Sequence, residues 1–189
     1  MRFFRKIILV IITLGCSNGN HLEDFYKLLE NDSVLKLKIN LTQSQFEKNY
    51  NSFGDFFVLG PRKYFYDSLD LKISVNNDVA ITKNYKNKQI VYNDLTEGEL
   101  NLFDILSGNR NYIKFLDDKV DINRYDFQIP TMGFKGHFLF EPISGNLKLI
   151  FFKNDFNHSA SINIYEIEIL DDYNPKIEKE DFEVIDLRG

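Results

Sequence analysis

Apolar and polar residues alternate with a period of two over long stretches of this chain. From 34 to 41, Leu35, Leu37, Ile39 and Leu41 interleave with Lys36, Lys38 and Asn40, the pattern of a strand with one buried and one wet face. Residues 69–75 repeat it, with Asp70, Lys72 and Ser74 facing out. Asn76-Asn77-Asp78 has the composition of a turn, 79–82 reads as the returning strand, and 89–92 extends the meander. Phe134, Gly136, Phe138 and Phe140 share one face of a further strand. The chain then turns over 142–146, returns over 147–153, turns again over 154–159 and runs out along 160–170, a three-stranded antiparallel meander. The predicted core is Leu35, Leu37, Ile39, Leu71, Ile73, Phe138, Phe140, Leu149 and Phe151.

Within 160–170 the pattern contradicts itself. Ile162 and Ile164 share a face whose continuation would bury Glu166 and Glu168, whereas Ile167 and Ile169 claim the inward positions from the other end. Two unpaired buried carboxylates cost far more than one extra residue in the strand. The conflict therefore predicts a bulge or sharp bend between Ile164 and Ile167, with both glutamates exposed.

Helical spacing is rarer. Asn20 is placed to cap a helix over about 21–31, with Leu22, Phe25, Leu28 and Leu29 inward. A second helix is read over about 43–50. A third runs from a Thr96 cap with Glu99 three residues on, through Ser107, with Leu100, Phe103 and Leu106 inward and Gly108-Asn109 as its stop. Residues 182–187 read as an edge strand guarded by its charges. The expected fold class is α+β and strand-rich: an antiparallel meander with one or two short helices, after a cleaved signal peptide.

The N-terminus follows different rules. Arg2, Arg5 and Lys6 precede an apolar run from Ile7 to Leu14 that is broken by Thr13. That run is too short for the roughly 20 residues a membrane span needs, and its flanks and the small Gly15 are those of a secretory signal. Thr13-Leu14-Gly15-Cys16 resembles the lipobox of bacterial prolipoproteins, although Leu14 sits one place nearer the cysteine than in the commonest pattern. The resemblance covers these 16 residues only. It implies cleavage before Cys16 and acylation of its thiol, and several acyl chains hold where one would not. Cys16 is the one cysteine of the 189 residues, so no internal disulfide is available. The chain divides accordingly into a signal peptide (1–15), a lipidated tether (16–20) and a single globular domain (21–189). The expected location is the bacterial cell envelope, with a lean to the outer membrane because Ser17, not Asp, follows the cysteine.

Without residues 1–15 the chain carries 20 Lys and Arg (23 less the three removed) against 28 Asp and Glu, a net charge of −8. That balance argues against a nucleic-acid partner and against an electrostatic grip on anionic lipid.

Catalytic signatures are missing. The chain has no phosphate-binding glycine loop, no nucleophile elbow and no H-E-x-x-H pair. His137 alternates with Lys135, opposite the phenylalanine face of its strand. Asp117, Asp118, Asp121, Asn123 and Asp126 are the densest oxygen cluster, but Lys119 interrupts it and no glycine supplies the sharp turn of a calcium loop. The sequence therefore implies no cofactor, no metal and no catalytic residue. Aromatic residues crowd 53–66 around Gly54, Gly60 and Pro61. They suit core packing, and Phe56, Phe57, Tyr64 and Tyr66 are the candidates for an apolar binding surface. The leading expectation is a non-enzymatic, membrane-anchored lipoprotein whose domain binds another protein, an immunity or exclusion factor being one specific form. The alternatives are a carrier of a small apolar ligand in an aromatic pocket and, third, an envelope hydrolase.

Overall fold

The computed structural model describes residues 20–30, 33–46, 48–95, 102–108, 110–116, 121–156 and 158–189. One helix, α1 (His21–Leu29), precedes twelve strands in chain order: β1 (Val34–Gln45), β2 (Lys48–Gly60), β3 (Lys63–Ser68), β4 (Leu71–Asn76), β5 (Val79–Asn84), β6 (Gln89–Asp94), β7 (Lys114–Phe115), β8 (Arg124–Ile129), β9 (Phe134–Phe140), β10 (Leu147–Lys153), β11 (Ser159–Leu170) and β12 (Glu183–Asp186). They form one open sheet in the order β12-β6-β5-β4-β3-β2-β1-β11-β10-β9-β8-β7. Every pair is antiparallel except β12 with β6. The protein is α+β and strand-rich.

Alternation sets which face is buried. The inner face carries Leu37 and Ile39 of β1, Phe56 of β2, Tyr64 and Tyr66 of β3, Phe138 and Phe140 of β9 and Ile162 of β11, all buried in one cluster. Leu22, Phe25, Tyr26 and Leu29 of α1 cover it, together with Phe103, Ile105 and Leu106 from a short 3₁₀ turn. Tyr26, not Leu28, completes the helix's buried stripe. Arg110 stacks its guanidinium 3.8 Å from the Tyr26 ring and reaches Glu23 at 3.4 Å. Burial raises the Tyr26 phenol well above its ordinary range, against the opposing pull of that guanidinium. Asn20 precedes α1, but its side chain makes no capping bond.

The outer face is covered near the carboxyl end. Val34, Phe57 and Phe65 pack there with Leu170, Tyr173 and Ile177, and Tyr173 stacks on Phe57 at 3.9 Å. Lys83, buried on this face, donates its ammonium proton to the Glu178 carbonyl at 2.7 Å and lies 4.0 Å over the Phe182 ring.

Several expectations change against this frame. Residues 43–50 form no helix: the β1–β2 pairing runs from Leu35↔Val58 to Gln45↔Lys48 and draws them into a hairpin. Residues 85–88 form the turn that links the predicted meander strands. The predicted Thr96 helix falls largely outside the described residues, and its described remainder is the 3₁₀ turn Leu102–Ile105. Leu149 and Phe151 are only half-buried, because a register shift between Leu147 and Leu149 puts Ile150 and Phe152 inward instead. Leu71 and Ile73 face inward but stay half-buried. In β11 the pairing jumps from Lys38↔Glu166 to Ile39↔Ile164. Tyr165 is the extra residue, and Glu166 and Glu168 are exposed as the parity conflict requires. Ile167 packs against the core, while Ile169 is 52% exposed.

Candidate functional site

Connections with even strand spacing bring five turns to one end of the sheet, here the tip rim: β1–β2, β3–β4, β5–β6, β8–β9 and β10–β11. Between the first three, the inner face opens into a cleft of about 810 Å³, within the range of small-molecule sites. Its floor is apolar. Leu41 comes from β1, Tyr66 from β3, Leu71 and Ile73 from β4, and Phe103 from the 3₁₀ turn. Its mouth is polar, with Gln43, Asn51, Asp70, Asn84 and Lys86.

The floor is rigid for a reason visible in ring geometry. Phe103 stacks on Phe56 at 5.1 Å, lies 4.9 Å from Tyr66 and 6.1 Å from Tyr64. Tyr66 Oη and Ser52 Oγ share a hydrogen bond of 2.8 Å across the β2–β3 pair. Burial raises the Tyr66 phenol above its ordinary value, with Ser52 opposing; the group stays neutral and able to donate. Gly54 makes the close approach possible, since a Cβ there would strike the Asp67 carbonyl and lie 2.9 Å from Tyr66 Cε2.

Of the four aromatic candidates, three meet around Phe103. Phe57 does not. Neighbouring residues of a strand point to opposite faces, so Phe57 turns outward from Phe56 and is capped by Tyr173. Phe103, Leu41 and the β4 pair escaped the sequence reading as site residues, although the alternation of 69–75 had placed Leu71 and Ile73 on a common face. Cys16, Asp117 and Asp118 lie outside the described residues. Among the described residues, no three His, Cys, Asp or Glu converge to hold a metal, and no helix is long and apolar enough to cross a membrane. His137 is remote from the cleft, half-buried on the outer face with its ring 5.5 Å from Phe151. Desolvation, and then Arg124, lower its pKa.

An uncharacterized conserved protein of Thermus thermophilus shares this fold, with a TM-score of 0.53 and 9% identity over 87% of this chain and 96% of that one. Two weaker likenesses are a LolA-superfamily protein of Nitrosomonas europaea (TM-score 0.46, 9% identity, 82% and 93% covered) and a domain of Vibrio parahaemolyticus designated an outer membrane lipoprotein-sorting protein (TM-score 0.44, 9% identity, 80% and 92% covered). No protein-family model and no curated protein matches the sequence. At such identity the likeness is one of fold.

Proposed function

We propose that this chain is a lipid-anchored envelope protein that holds an apolar ligand of the acyl-chain class, without transforming it. The observation that carries the reading is the cleft: an apolar floor of Leu41, Tyr66, Ile73 and Phe103 beneath a mouth of amides with Asp70 and Lys86. An elongated apolar body is desolvated below while a polar head stays at the mouth. The described lining contributes one carboxylate, Asp70, and neither histidine nor cysteine. Of the readings the sequence leaves open, this one uses Tyr66 directly, with Phe56 and Tyr64 packed behind Phe103 as its support.

Binding of a fluorescent fatty acid to the purified protein tests it. Ile73→Trp fills the cleft from its half-buried wall and should abolish binding while leaving the melting temperature near that of the parent. A parent protein that binds no fatty acid or phospholipid, or an Ile73→Trp variant that binds as well as the parent, would sink the proposal.

A further inference from the structure

The tip rim has a property that the cleft does not explain. Four of its five turns each hold a large apolar side chain out in solvent: Phe46 in β1–β2 (76% exposed), Leu69 in β3–β4 (93%), Met132 in β8–β9 (41%) and Phe156 in β10–β11 (81%). The fifth, β5–β6, carries Lys86 and Lys88. Successive hairpin tips are two strands apart, about 10 Å, so the apolar side chains form a row of separate teeth rather than a continuous patch.

The teeth are held, not loose. The Asn154 carboxamide oxygen accepts the backbone N–H of Phe156 at 3.0 Å and that of His158 at 3.1 Å, fixing the turn that displays Phe156. Phe46 meets the His158 ring edge-on at 4.7 Å, joining two neighbouring tips. Ser68 Oγ braces the Leu69 turn through both the carbonyl and the N–H of Leu71. Charge differs between the ends as well. Lys48, Lys86, Lys88 and Lys153 flank the teeth beside Asp70 and Asp155, with Glu183 at the edge where β12 begins beside Lys88, while the opposite rim carries Asp78, Asp94, Glu141, Asp171 and Asp172 with Arg62 and Arg188.

A protein partner would need a matched pocket for each isolated tooth and a contiguous apolar centre. A lipid interface accepts separate apolar side chains without shape matching, and its phosphates suit the lysines. The first described residues, Asn20 and His21, lie at the other end. The His21 ring is 6.0 Å from that of Phe140 and abuts Gly145, in the turn between β9 and β10. Five residue steps from Cys16 to His21 reach at most about 18 Å. The seven-residue strands β9 and β10 each run about 23 Å.

We propose that the tip rim inserts Phe46, Leu69, Met132 and Phe156 into a phospholipid surface facing the membrane that holds the anchor, with the cleft mouth opening at that second surface. This rests on acylation of Cys16 and on the ligand-holding cleft.

The chain contains no tryptophan, so Phe156→Trp gives a single reporter and Ile143→Trp, 94% exposed on the opposite rim, its control. The lipidated variants are reconstituted into plain phosphatidylcholine–phosphatidylglycerol vesicles, and a second population with brominated acyl chains is added. Bromine in the second population should quench Phe156→Trp and spare Ile143→Trp. A Phe46→Ser/Phe156→Ser double variant, whose changes are on exposed side chains, should fold and lose vesicle bridging by light scattering. Equal quenching of both reporters, quenching of Phe156→Trp only when the bromine is moved to the anchoring vesicles instead, none at all, or undiminished bridging by the double variant would overturn the proposal. Crosslinking of the rim to an envelope protein without lipid quenching would overturn it too. If the protein fails to float with its first vesicles, the anchor reading is what fails, and quenching of Phe156→Trp by any vesicle still decides the rim. Loss of fatty-acid binding with quenching intact would remove the cleft reading alone.

Discussion

Lys38 Nζ donates a hydrogen bond to Glu166 Oε2 across 2.9 Å, and the two residues are register partners on β1 and β11, the last pair before the register shifts. The bond draws the Glu166 carboxyl below its ordinary range and lifts the Lys38 ammonium above its own. Lys36 repeats the arrangement with Glu168 at 3.6 Å. Both pairs stand on the outer face because Tyr165 has taken up one residue of β11. Deleting Tyr165 restores one-to-one pairing and leaves Glu166 opposite Lys38 and Glu168 opposite Lys36, still on the outer face. The deletion, like Tyr165→Ala, should therefore stay within about 1 kcal/mol of the parent. Urea denaturation checks it, and a loss of about 3 kcal/mol or more on deletion, as expected for glutamates turned inward, would refute it.

That bulge was legible because Glu166 and Glu168 were charged witnesses to the parity. The matching shift in β10 was not. Residues 149–152 are apolar without interruption, so nothing distinguishes an inward Phe151 from an inward Phe152 until β9 and β11 fix the register. The same physics hid the far end of β1. Gln43, Ser44 and Gln45 have no strong strand preference, and only pairing with Tyr50, Asn49 and Lys48 extends the strand. Of the site, the aromatic bed was readable as composition. Its division into faces was readable from alternation, and Phe57 shows what neglecting that alternation costs. Phe103 arrives from 37 residues beyond Tyr66 in the chain, and no local pattern joins them.

Phe138 is fully buried and touches Phe127 at 5.2 Å and Phe115 at 5.8 Å. Phe138→Ala should cost about 3–5 kcal/mol, and Phe53→Ala, at 56% exposure on the outer face, well under half of that. Thermal and chemical melts of the pair decide it. Comparable losses would mean that the inner face is not where the stability resides.

His137 gives the protein an acid-side weakness. Its pKa is lowered by burial first and by Arg124 second, with Asp126 opposing. The unfolded chain therefore binds the proton more readily than the folded one. The contribution is fully present above the ordinary histidine value of about 6.5 and is lost as pH falls from there through the depressed folded value. His137→Gln should flatten the fall in denaturation midpoint over that window. An unchanged slope in the variant would assign the acid sensitivity elsewhere.

Export makes its own prediction. If the thiol of Cys16 carries the lipid, Cys16→Ala should abolish metabolic labelling with radiolabelled palmitate and leave the precursor uncut or released in soluble form. Unchanged labelling or membrane retention of the cut protein would contradict the anchor.

Gly54 ties the fold to the cleft. It pairs with Ser68 across β2–β3 and is buried where the two strands carry Ser52 and Tyr66 toward the cleft. A methyl group at this position strikes the Asp67 carbonyl, which is backbone and cannot yield without parting the strands, and lies 2.9 Å from the Tyr66 ring. Gly54→Ala therefore has two routes of relief, to loosen the β2–β3 ladder or to push Tyr66 into the cleft, and each damages the floor. A loss of about 1–3 kcal/mol is expected, together with weaker fatty-acid binding than in Gly133→Ala, where nothing lies within 4 Å of the added methyl. Gly133 has φ of +66°, so its alanine variant carries backbone strain without steric conflict and controls for stability loss alone. Weaker binding in both variants to the same degree would show that affinity merely follows stability. Weaker binding in Gly54→Ala alone would locate the ligand against Tyr66.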